Sequence, residues 1–214
     1  MDIPTNWTFK NQQVADEFDN HVREQLPWYN MATSMTAHFV RNYFPADGVF
    51  IDLGCSTGNI SNACIDTLRL RNAKIINVDN SHEMLSSFKG YGEVVTENIE
   101  NYELPDFDVC VLFLSLMFVP VSCRSQLIIN LMRRCRKGGA VIVVDKIESF
   151  RGYSGQVINR LSIINKLDSG CLPTEILDKE LSLAGVQRPV DPKLLSSFVQ
   201  WFQIGEFCGY LFEG

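Results

Sequence analysis

Apolar residues recur along this chain with two alternating periods. Val14, Phe18 and Val22 stand at i, i+4 and i+8, an apolar stripe on a helix that Pro27 ends. A second helix is predicted from about Tyr29 to Phe44, with Met31, Met35 and Phe39 on one face, before Pro45-Ala46-Asp47-Gly48 breaks the chain. Short, fully apolar runs then alternate with amphipathic stretches. Strand 49–53 precedes helix 58–69, and strand 74–79 precedes a short helix from Ser81. A short strand near 93–96 leads to the apolar run from Phe107 to Phe118. A helix near 123–136 and a strand at 140–145 follow, then helices near 153–167 and 174–184. Phe198 to Phe212 is aromatic and β-rich around Gly205-Glu206, and reads as an antiparallel hairpin. Fully apolar strands between amphipathic helices predict a parallel sheet covered on both faces. The expected architecture is α/β: a doubly wound, mainly parallel seven-stranded sheet, closed by the hairpin and preceded by N-terminal helices.

The length, 214 residues, suits one compact domain. Residues 1–46 are expected to form a helical cap on an α/β domain spanning 47–214. A net charge of −6 argues against nonspecific binding to nucleic acid; a small-molecule substrate is the expected partner. Seven cysteines include no C-x-x-C pair and sit mostly in apolar runs, as reduced thiols do in a cytoplasmic protein. Neither a zinc site nor any other metal is expected. The first ten residues lack the pattern of a signal peptide, and no apolar run approaches the ~20 residues that span a membrane. Arg133, Arg134, Arg136 and Lys137, before Gly138, read as cations at a helix C-terminus.

The chemistry concentrates in VFIDLGCSTGNIS, Val49 to Ser61, and IINVDNS, Ile75 to Ser81. Each is an apolar strand ending in an acid, and the first runs into a turn bracketed by Gly54 and Gly58. Such a pair builds a nucleoside pocket, with backbone at a helix start and a carboxylate for ribose hydroxyls. Three readings compete. Gly54-Cys55-Ser56-Thr57-Gly58 fits the hydrolase elbow G-x-S-x-G, but of the three histidines, 21, 38 and 82, only His82 follows Ser56, too closely for the usual late histidine. A nicotinamide site wants G-x-G-x-x-G, and Ser56 stands where its middle glycine belongs. Asp52, inside the strand, suits a cationic ligand better than a neutral dinucleotide.

The third reading is S-adenosylmethionine (SAM). D-x-G-x-S-x-G at 52–58 and Asp79-Asn80 resemble the class I SAM-dependent methyltransferases, which have a Rossmann-like fold. Asp106-Phe107-Asp108, Lys137-Gly138-Gly139 and the terminal hairpin extend the likeness. The resemblance implies that Gly54, Cys55, Ser56 and Gly58 lie along the methionine part of SAM, with Asp52 behind. It implies Asp79 on the ribose hydroxyls, Asn80 beside the adenine, and Asn98-Ile99 at the adenine edge.

PWYNMATSM (27–35), DLGCSTG (52–58), KIINVDNS (74–81) and VQWFQIGEFCGYL (199–211) resemble the bacterial carboxy-SAM synthases more narrowly. Those homodimeric enzymes take a carboxylate from prephenate onto the SAM methyl, giving carboxy-SAM for tRNA wobble-uridine modification. Tyr29 matches a ligand-contacting tyrosine of that family. Phe113 stands where the family has an asparagine. The family's carboxylate-binding arginine lies in a segment that here runs Pro192 to Ser197 without one; Arg188 and Lys193 are only nearby. A second-substrate site altered from the family's is therefore expected. A conventional methyltransferase on a small molecule or tRNA is the alternative, and a non-catalytic SAM-binding partner protein a further one. Neither the N-P-P-Y type of turn nor a Pro-Cys pair occurs, which argues against DNA base methylation. Trp28, Tyr29, Phe113, Met117, Phe118 and Tyr153 are the expected acceptor wall. Tyr29 and Lys146 are the candidate catalytic residues.

Overall fold

The computed structural model describes residues 3–148 and 152–214. Two helices open it, α1 (Gln12–Gln25) and α2 (Tyr29–Tyr43). Then follow β1 (Val49–Leu53), α3 (Asn59–Ala63), α4 (Ile65–Leu70), β2 (Lys74–Asp79), α5 (His82–Ser86) and β3 (Glu93–Thr96). Next are β4 (Phe107–Phe113), a 3-10 turn (Leu116–Phe118), α6 (Val121–Arg134) and β5 (Cys135–Lys146). The rest is α7 (Tyr153–Asp168), α8 (Pro173–Ser182), a 3-10 turn (Pro192–Leu195), β6 (Val199–Ile204) and β7 (Phe207–Glu213).

One seven-stranded sheet has the order β3-β2-β1-β4-β5-β7-β6. The first five strands are parallel, and β7 runs antiparallel to both β5 and β6. The chain therefore moves outward from β1 to β3 and returns to start β4 on the other side of β1. Parallel strands whose connections part in this way leave a crevice at their C-terminal ends, where ligands of open α/β sheets bind.

Alternation along each strand builds two cores. Ile51, Leu53, Cys110, Leu112 and Val141 face one side, with Leu127 and Leu131 of α6. Phe50, Val109, Val111, Ile142 and Val144 face the other, with Ala32 and Val40 of α2, Phe44, and Leu68 of α4. The buried edge of α2 is Tyr29, Ala32, Thr36 and Val40 rather than the expected Met31-Met35-Phe39 face. Small side chains at 32 and 36 let the helix approach the sheet closely, which leaves Met31 49% exposed.

Other boundaries differ for local reasons. The predicted helix 58–69 breaks at Cys64 into α3 and α4. The helix predicted to end near 136 stops at Arg134, because Cys135 already pairs with Phe107 and β5 starts there. Gly138 and Gly139 thus lie inside a strand. A Cβ on Gly139 would stand 2.2 Å from the Asp108 carbonyl oxygen, so only glycine lets the two strands close at that irregularity. Arg136 and Lys137 therefore cap no helix. Arg136 instead pairs with Asp108 at 2.7 Å, and Arg134 with Asp106 at 3.2 Å. The hairpin aromatics pack within the chain: Trp28 lies against Phe207 (4.8 Å between ring centroids) and Phe39 against Trp201 (4.9 Å). Among the described residues no helix is long and apolar enough to cross a membrane.

Phe50, fully buried against Phe44, joins the central strand to the end of α2. Phe50→Ala is expected to cost about 3–5 kcal/mol, read as a lowered urea midpoint with unchanged slope.

Candidate functional site: a cleft at the strand ends

The turn after β1 is shaped by what stands beside it. Gly54 has φ +79, and a Cβ there would lie 2.4 Å from the Cβ of Ser115. Gly58 has φ +88, and a Cβ there would lie 2.6 Å from the Gly90 nitrogen. Neither position has room for a side chain. Ser56 also holds a positive φ, 50°, a conformation costly for a residue with a Cβ.

Asp79, at the end of β2, holds this turn in place. One of its carboxylate oxygens accepts the Ser56 N–H at 2.9 Å, and the other accepts the Ser81 N–H at 3.0 Å. The Gly54 and Cys55 amides both donate to the Val78 carbonyl. The Asn80 side-chain amide donates to Asn98 Oδ1 at 2.7 Å. Asn80, Ile99 and Glu100 line the cleft. Asn98 stands behind Asn80, its amide oxygen already engaged.

Asp52 lies beneath the turn, 1% exposed. Neither of its carboxylate oxygens has a hydrogen-bond partner among the described residues, and neither do the buried hydroxyls of Ser56 and Ser115. Burial, and secondarily the charge of Asp79, push the Asp52 carboxyl up to about 7. Burial likewise raises Asp79. The buried Asp52 beside the half-buried Asp79 concentrates negative charge that no cationic side chain among the described residues pairs with.

The far wall comes from α1 and α2. Tyr29 is 4% exposed and meets Phe113 edge-on, 5.4 Å between centroids. Burial raises its phenol far above the usual range, so Tyr29 keeps its proton. The Cys55 thiol is raised in the same way and is no nucleophile. Asp19 accepts from Thr57 Oγ1 at 2.6 Å and Asn59 Nδ2 at 2.7 Å, and Arg23 donates to Asn59 Oδ1 at 3.1 Å. These bonds tie α1 to the glycine turn. The periodicity of α1 gave no sign of them, since Asp19 and Arg23 lie on its polar face.

The cleft has a volume of about 140 Å³. Of the residues expected to hold a cofactor, Tyr29, Gly54, Cys55, Ser56, Asp79, Asn80 and Ile99 line it. Asp52, Gly58 and Asn98 do not line it. Phe113 and Phe118 complete its apolar side, together with Phe9 and Phe18, which the sequence reading missed. Three expected wall residues lie elsewhere. Trp28 is core, packed on Phe202 and Phe207, and Tyr153 is 72% exposed. Met117 and Lys146 line an adjoining cavity rather than the cleft. Lys146 is paired there with Glu206 at 3.5 Å and donates to Gln187 at 3.3 Å.

The sheet order, the return strand and a glycine turn over buried acids define a class I SAM-dependent methyltransferase fold. A family model described as a methyltransferase domain matches residues 51–143. Among solved structures, human N-acetylserotonin methyltransferase in complex with SAM aligns with 96% of this chain at 17% identity and a TM-score of 0.58. This chain spans 57% of that one. A TehB-like SAM-dependent methyltransferase from Corynebacterium glutamicum aligns over 95% of this chain and 99% of its own, at 14% identity and a TM-score of 0.54. Among curated relatives, the carboxy-S-adenosyl-L-methionine synthase of Staphylococcus epidermidis is 26% identical over 97% of both chains. That of Wolinella succinogenes is 28% identical over 86% of this chain and 80% of its own. The chain has the class I SAM-dependent methyltransferase fold and resembles the carboxy-SAM synthases along most of its length.

The raised Asp52 carboxyl has a signed consequence for the ligand-free protein. The folded state binds the extra proton between its ordinary value, 3.8, and about 7, so stability falls as pH rises through that window and stays low above it. Asp52→Asn is expected to flatten that fall and to raise stability at pH 8 by roughly 1–4 kcal/mol. Melting temperatures of both proteins at pH 5 and pH 8 check this.

Proposed function

We propose that the chain binds SAM in this cleft and transfers a group from it to a small second substrate different from that of the carboxy-SAM synthases. The observation that carries the first half is the unfinished polar lining. Asp79 keeps free lone pairs for two ribose hydroxyls, and Asn80 and Ile99 flank the place for an adenine. Gly54, Cys55, Ser56 and Gly58 would pass the methionine portion close to the backbone. Asp52 would supply negative charge beneath a cation, and Asn98 would act through Asn80 by fixing its amide. When bound, SAM supplies a methyl group activated by its positively charged sulfur. The chain's own work is then positioning and water exclusion, done by Tyr29, Phe113 and Phe118.

The second half rests on what stands where a substrate carboxylate would need a cation. Lys193, in the 3-10 turn before β6, is exposed and lines a separate groove with Arg124 and Arg188. Arg124 is buried and spends its guanidinium on the carbonyls of Met117, Val119, Arg188 and Pro189. Arg188 pairs with Glu148 at 3.5 Å. Phe113 puts an aromatic edge against Tyr29. Conventional methyl transfer is the reading this apolar wall favours. The resemblance also supports a homodimer, for which Val157, Leu161 and Ile164 of α7 offer an exposed apolar face.

Mass spectrometry of the nucleotide that co-purifies with the full chain should find SAM or S-adenosylhomocysteine. Carboxy-SAM would overturn the altered second substrate, and an NAD species or no adenosyl ligand would overturn the cofactor reading. Asp79→Ala should weaken SAM by roughly 100-fold or more in calorimetry, the loss of two hydrogen bonds to a charged acceptor.

A further inference from the structure

Beside the cleft lies a second cavity of about 510 Å³, walled by α1, α7, α8 and the ends of β5 and β7. Phe9, Phe18, Leu114 and Phe118 line both spaces, so one opens on the other. Its size falls within the range of small-molecule sites, about 300–1,000 Å³.

The titratable and charged side chains that line it come from every wall: His21 from α1, Lys146 from β5, Lys166 from α7, Lys179 and Glu180 from α8, and Glu206 from the hairpin turn. Four of them cancel in pairs. Lys146 stands 3.5 Å from Glu206, and Lys166 stands 3.0 Å from Glu180. Lys179 has no carboxylate partner among the described residues. Its ammonium lies over the indole of Trp7. Burial, and then the charge of Lys166, push it down to about 6. His21 stacks on the same indole at 5.9 Å. Burial first, and then Lys179, press its imidazole down to about 4, so it is neutral near pH 7. His21 is 9% exposed, and its Nε2 is buried with no partner. The half-buried Lys179 amine is therefore charged below about pH 6 and mostly neutral above it, and an anion set against it favours the charged form.

We propose that this cavity is the binding site of the second substrate, and that it takes an organic monocarboxylate with an apolar, ring-sized body. Its carboxylate sits on Lys179, within reach of His21 Nε2, and its body lies among Trp7, Phe9, Phe118 and Ile163. Among the described residues lining the cavity, Lys179 alone is a cation without a carboxylate partner, so a second carboxylate on the ligand would be buried uncompensated. The word substrate rests on the transferase reading above; the binding site does not.

Calorimetry on the full-length chain, with S-adenosylhomocysteine present, tests it using 3-phenylpropionate, the corresponding amide and phenylsuccinate. The acid should bind roughly 10- to 100-fold more tightly than the amide, as a charged hydrogen-bond partner is worth. Its affinity should rise from pH 8 to pH 6 as Lys179 takes up a proton, while that of the amide stays level. Lys179→Met should bring the acid down to the amide and leave S-adenosylhomocysteine affinity unchanged, and Lys179→Arg should keep the preference. Equal binding of acid and amide, tighter binding of the dianion, or a preference surviving Lys179→Met would overturn the proposal. If Lys179→Met does not fold, the pH profile of the unmodified chain and the Lys179→Arg variant decide. Failure to bind S-adenosylhomocysteine would sink the transferase reading alone, because the ratio of acid to amide is measured independently of it.

Discussion

Asp79 ties together the two loops that leave the ends of β1 and β2. Its two oxygens take the Ser56 and Ser81 amides, one from the turn after β1 and one from the start of α5. Parallel pairing of β1 with β2 brings those strand ends side by side, and the carboxylate then sets how the turns leave the sheet. Gly54 and Gly58 pass through left-handed conformations because Ser115 and Gly90 fill the space a side chain would need. The cleft is thus a product of register: shift β2 by one residue and Asp79 faces the core instead of the turn.

This dependence explains what was legible in the sequence. The strands at 49–53 and 74–79 could be bounded to the residue, because each is a short apolar run closed by an acid and a turn. The mainly parallel seven-stranded sheet with its antiparallel end followed from apolar strands between amphipathic helices and the late aromatic hairpin. The border near 135 was not legible, since Arg133, Arg134, Arg136 and Lys137 suit a helix end as well as a solvated strand. Pairing of Cys135 with Phe107, a contact distant in sequence, decides it. The face of α2 was missed for a related reason: large apolar residues were weighted over Ala32 and Thr36, and close packing selected the small ones.

The site divides along the same line. The residues proposed for the adenosyl half lie mostly in two short stretches, 52–58 and 79–80, so spacing alone could single them out. The second cavity gathers Trp7, His21, Lys146, Lys179 and Glu206 from five separate places in the chain. No window of sequence contains that set. Trp28 and Tyr153 went the other way: both carry the right side chain for a pocket wall, but one is claimed by the hairpin and the other points to solvent. Phe118 lines both spaces, and the Phe113 ring closes the cleft against Tyr29.

Asp52 carries a further consequence. Deep burial, which pushes its carboxyl up to about 7, sets a proton in competition with a cationic ligand for the same charge. A cation placed above the turn favours the ionised carboxylate, so binding of such a ligand and release of H⁺ are linked.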